Sequence, residues 1–142
     1  MKKFMGLFLA LGCVLGIVGC NGQTVNIDFP FEVEDVENIE MYHFEEVHAS
    51  AKMKVVFAES DINTLYDFFK DLQLEDKQTE EITGADVTRF RFNLSDGTSY
   101  ELIYVCNGVK NGKLMSETEG FAYFTSADIG SYWDALNGLS LQ

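Results

Sequence analysis

From residue 39 onward the apolar positions switch between the period of a strand and the spacing of a helix. Ile39 to Phe44 reads as a strand, preceded by the acidic run Glu32, Glu34, Asp35 and Glu37. Ala51 to Ala58 reads as a second strand, with Met53, Val55 and Phe57 on one face and Lys52 and Lys54 on the other. Ile62, Leu65, Tyr66, Phe69 and Leu72 then recur at the spacing of a buried helical stripe. Ser60 is the expected cap of that helix, and Asp61 suits its positive end. A polar loop is expected from Glu75 to Gly84.

The next stretch predicts a hairpin whose register can be argued. Phe90, Phe92 and Leu94 alternate with Arg89, Arg91 and Asn93, and Tyr100, Leu102, Tyr104 and Cys106 alternate with Glu101, Ile103 and Val105. A two-residue Asp96-Gly97 turn would set Phe92 opposite Glu101 and mix the faces. A three-residue loop, with Gly97 left-handed, sets Phe92 opposite Tyr100 and Phe90 opposite Leu102. It also sets Arg91 opposite Glu101, a cross-strand pair worth about 0.2–1 kcal/mol. The three-residue loop is the expected one, because a one-residue slip inverts every side chain.

Asn111-Gly112 offers a further tight turn into strand material at Lys113 to Met115 and Phe121 to Phe124. Thr125 or Ser126 is the expected cap of a last helix, with Ile129, Tyr132, Trp133 and Leu136 as its apolar stripe and Gly138 as its stop. The expected fold class is α+β: an antiparallel sheet of about five strands with two helices packed on one face, in the order ββαβββα. The expected domain covers residues 31–142.

The first twenty residues carry a different signal. Lys2 and Lys3 precede an apolar stretch from Phe4 to Val18, which is shorter than the roughly 20 residues a spanning helix needs. The stretch ends in Ile17-Val18-Gly19-Cys20. This resembles the lipobox of bacterial lipoproteins, and the whole resembles small surface lipoproteins of Gram-positive bacteria. The resemblance implies a signal peptide over residues 1–19, a diacylglyceryl group on Cys20, and a lipidated tether over residues 20–30. It implies location at the cell membrane, lipid-anchored on the extracytoplasmic face. Asn21 is not the aspartate that resembles a retention signal for the inner membrane.

Cleavage before Cys20 removes 19 of 142 residues and leaves 123. Two lysines and no acids leave with the leader, so the formal net charge moves from −13 to −15. Such acidity argues against nucleic acid as a partner and against docking onto anionic lipid. It fits solubility outside the cell, or a basic partner. Ten Phe, six Tyr and one Trp remain, enough to fill a single core. Cys13 is in the leader, so Cys106 is the one thiol left and no internal disulfide forms. Cys106 lies in an apolar run with no basic neighbour to lower its pKa, which favours a small buried residue over a nucleophile.

Candidate chemistry is sparse. His43-Phe44-Glu45-Glu46-Val47-His48 places two imidazoles and two carboxylates within six residues, so His43, Glu45, Glu46 and His48 are the weak metal candidates. Helical i, i+4 spacing of the two histidines is missing. Glu32, Glu34, Asp35 and Glu37 lack the glycine and ligand spacing of a calcium loop and read as a charged strand edge. There is no serine elbow, and no phosphate-binding glycine pattern lies between a strand and a helix. No catalytic residue and no cofactor are expected. The expected function is a non-enzymatic, lipid-tethered binding or interaction module, its partner a basic protein or an envelope component. The alternative is a small metal-binding or hydrolytic envelope protein using the His43/Glu45/Glu46/His48 cluster.

Overall fold

A computed structural model describes residues 23–44, 51–77, 85–107, 112–136 and 139–141. Nine strands lie within these residues: β1 (Gln23–Val25), β2 (Val36–Phe44), β3 (Lys52–Val56), β4 (Leu74–Asp76), β5 (Asp86–Leu94), β6 (Ser99–Cys106), β7 (Gly112–Ser116), β8 (Phe121–Thr125) and β9 (Leu139–Leu141). Two helices accompany them, α1 (Glu59–Asp71) and α2 (Ser131–Ala135). All strands join one antiparallel sheet in the order β1-β4-β8-β7-β6-β5-β2-β3-β9.

The protein is therefore mostly β, and the expected α+β arrangement of about five strands with two helices packed on one face is corrected. β1, β4 and β9 are three residues each, too short for alternation to show in a sequence. The second helix is reduced to the five residues of α2. Thr125 does not cap it but closes β8 as a buried residue. Ser126 does not cap it either: Gly130 stands at the N-cap with no side-chain cap, and Asp128 Oδ1, two residues earlier, accepts from Ser131 N–H at 3.2 Å.

The hairpin of β5 and β6 has the register argued from its side chains. Phe92 faces Tyr100, Phe90 faces Leu102 and Arg91 faces Glu101. Leu94 N–H donates to Thr98 O at 2.9 Å and Gly97 N–H to Leu94 O at 3.0 Å, so residues 95–97 form the loop. Gly97 has φ 85°, the left-handed conformation that the loop requires.

α1 also follows its pattern: Ile62, Leu65, Tyr66, Phe69 and Leu72 are all buried. It starts at Glu59, however, with Ala58 rather than Ser60 at the N-cap and no side-chain cap. Phe69 meets Phe90 edge-on at 4.9 Å, which places α1 over the sheet face formed by Phe90, Phe92, Tyr100 and Leu102.

The N-terminal segment departs from the expected tether over residues 20–30. Gln23–Val25 pairs with Leu74–Asp76 as an edge strand. Beyond it Ile27 and Phe31 are buried and Phe29 packs on Tyr66, Phe92 and Tyr100, with ring centroids 4.9, 5.4 and 5.4 Å apart. Tyr66 O–H donates to Phe31 O at 2.8 Å, and Asn26 Nδ2 donates to Leu72 O at 3.2 Å. Residues 26–31 thus run along α1 from its C-terminal end toward its N-terminal half, and they complete the core.

Candidate functional site

Alternation along β2 puts His43 on the same face as Ile39 and Met41. Its ring stacks on Trp133 at 5.4 Å with 24° between planes, and Nδ1 lies 3.0 Å from Thr88 Oγ1. Thr88 is itself buried. Glu45, Glu46 and His48 fall outside the described residues, as does Cys20. Among the described residues no three His, Cys, Asp or Glu side chains come together as a metal-binding group.

Lys54 lies on that same face, because Met41 pairs with Lys54. Its ammonium sits 4.5 Å from the Trp133 ring centroid and donates to the Trp133 carbonyl. The alternation of β3 therefore turns Lys54 toward the helices and Val55 toward the other face. A long aliphatic stem lets lysine do this while its charge finds an aromatic ring and a carbonyl.

Cys106 is half-buried. Burial raises its thiol above the ordinary 9.0, and the hydrogen bond with Tyr104 opposes that rise only in part. A thiol held protonated is a poor nucleophile. Tyr100 is buried with its hydroxyl lacking a completed hydrogen bond; burial raises its pKa, and the nearby Ser116 hydroxyl offsets part of the effect.

The most distinctive surface lies where β3 hands over to α1. β3 ends at Val56, so the next side chain, Phe57, leaves the sheet and stands 58% exposed, the one large apolar side chain so exposed among the described residues. It lines a cleft of about 480 Å³ together with the apolar Val33, Val36 and Ile62 and the acidic Glu34, Glu37 and Glu59. Of the acidic run expected as a strand edge, Glu34 and Asp35 fold into the 3-10 turn Val33–Asp35, with Glu32 just before it and Glu37 in β2. There Glu32 N–H donates to Asp35 Oδ2 at 3.1 Å, which closes a capping box. Glu34 in that turn and Glu37 near the start of β2 line the same cleft as Phe57. Strand alternation alone groups Phe57 with Met53 and Val55, but β3 stops one residue short of it.

On the sheet face opposite α1, Arg91 Nε lies 3.9 Å from Glu40 and 3.7 Å from Glu101, and Arg89 Nε lies 4.0 Å from Glu101. These pairs neutralise one another. Among the described residues, no basic side chain lines the cleft at Phe57.

No protein-family model matches the chain, and no curated protein or solved structure gives a match.

Proposed function

We propose that the protein is a non-enzymatic binding module, anchored through lipid on Cys20 at the extracytoplasmic face of the membrane, which docks a basic protein segment in the cleft at Phe57. The observation that carries this reading is an exposed aromatic ring beside three exposed carboxylates in one concave surface. Burying Phe57 against an apolar partner side chain supplies affinity, since aromatic anchors dominate docking energetics. Glu34, Glu37 and Glu59 attract lysine and arginine and raise the encounter rate at low salt. Among the described residues, two groups with catalytic chemistry are otherwise engaged. His43 is held between Trp133 and Thr88, and the Cys106 thiol is kept protonated by burial.

The test is affinity capture from the envelope and secreted proteins of the source organism, at low and high salt, with the native chain and with Phe57→Ser. Recovery of one basic protein by the native chain, lost at high salt and lost with Phe57→Ser, is the expected result. Equal recovery by both chains overturns the cleft as the docking site.

A further inference from the structure

Asn21 and Gly22 are all that separates Cys20 from Gln23, and Gln23 is already hydrogen-bonded into the sheet opposite Asp76. Three residue steps of fully extended chain reach about 10 Å. An acyl group on Cys20 therefore holds the β1 edge within about 10 Å of the headgroup layer.

The chemistry at that edge suits such a position. Lys77 directly follows the residue that pairs with Gln23. Its ammonium lies 3.8 Å from the Phe124 ring centroid and 3.2 Å from the Glu75 carboxylate. Phe124 and Glu75 are partners in the single residue pair that joins β4 to β8. A lysine above an aromatic ring offers a donor to phosphate and an apolar body to the acyl boundary. β1 is also a sheet edge with unpaired backbone groups, which proteins otherwise shield from pairing with other chains.

The cleft lies at the other end of α1. Asn26 is tied to Leu72, just past the C-terminal end of α1, whereas Phe57, Glu59 and Ile62 stand at its N-terminal end. Thirteen residues of helix separate these ends by about 20 Å. The strong negative charge of the domain opposes lying flat on an anionic surface.

We propose that the β1–β4–β8 corner, with Lys77 and Phe124, rests on the phospholipid headgroups beside the acylated Cys20, and that α1 carries the acidic cleft away from the membrane. This rests on the reading of Cys20 as the lipidated residue. The domain then presents Phe57 outward in a fixed orientation rather than swinging on a leash.

The test uses the full lipidated protein in phosphatidylcholine vesicles, treated with a water-soluble lysine-acylating reagent. It is compared with the same protein carrying a Gly-Ser insertion of about ten residues after Gly22, which adds roughly 17 Å of reach. Acylation of Lys77 is expected to be several-fold slower in the native chain and to recover with the insertion, while the rate at Lys52 on β3 is the same in both. Equal rates at Lys77 overturn the docking, and selective protection of Lys52 overturns the orientation. The mass of the processed chain separates the two readings. Diacylglyceryl on Cys20 with unprotected Lys77 removes only the docking, whereas its absence removes the anchor and the docking together.

Discussion

The ring of Tyr104 lies directly against the backbone of Gly112, so closely that a Cβ at Gly112 would stand 2.3 Å from Tyr104 Cε2. The two residues sit on neighbouring strands, where Tyr104 pairs with Leu114 and Cys106 with Gly112. From there the phenol reaches the segment before α2, its hydroxyl donating to Ala127 O at 3.3 Å. Gly112 was expected in a turn; it is a strand residue whose missing side chain makes room for this ring. Gly112→Ala is accordingly expected to lower the unfolding free energy by about 1–3 kcal/mol, the usual cost of overpacking. A urea titration checks it, and Tyr104→Ala in the same chain should cancel part of the loss, because contacting sites are not additive.

Tyr66 ties the N-terminal segment to α1 through its hydrogen bond to Phe31 O. Tyr66→Phe keeps the ring packing but leaves a carbonyl unsatisfied in a buried setting. A loss of about 1–3 kcal/mol is expected. Native-state hydrogen exchange should show the effect concentrated in residues 27–31.

Gly97 has open space around its missing Cβ but φ 85°. Gly97→Ala therefore tests backbone strain alone and is expected to cost roughly 1 kcal/mol, with Gly97→Asn costing less. Thermal unfolding of the pair distinguishes strain from packing: equal losses for Ala and Asn would contradict the account.

Burial, and then the neighbouring Cys106 thiolate, push the Tyr104 hydroxyl well above its ordinary 10.0. Burial also raises Tyr66 and Tyr100. Above pH 10 the unfolded chain loses these protons while the folded chain keeps them, so stability falls as pH rises. It is fully present below pH 10 and is lost through the alkaline range. Denaturant midpoints measured from pH 9 upward should decline, and Tyr104→Phe should make that decline shallower.

The central hairpin was legible because β5 and β6 are long, alternate strictly, and meet at a loop whose glycine position decides between two registers. The α1 stripe was legible because all five apolar positions point one way. The edges of the sheet were not. Gln23–Val25 and Leu74–Asp76 carry too few residues for a period, and their pairing joins segments far apart in the chain. Ile27, Phe29 and Phe31 do recur at every second position, yet nothing local says that they lie across α1 rather than in solvent. Alternation likewise showed that Lys52 and Lys54 share a face but not which face receives α2. Of the candidate site, Glu34 and Glu37 were visible in sequence as members of an acidic run, whereas Glu59 carried no signal of its own. That they share a cleft with Phe57 was not visible, because it depends on the strand stopping at Val56 and on a 3-10 turn from another part of the chain.

The strand order also dictates how the chain assembles. β5, β6, β7 and β8 are neighbours both in sequence and in space, so this meander closes through short loops. β1 must wait for β4, with β2, β3 and α1 in between, and the reward is only three paired residues. Long closures for few contacts form late and open first. The sheet therefore condenses from its middle, and the amino-terminal strand is its last stitch to be sewn and the first to unpick.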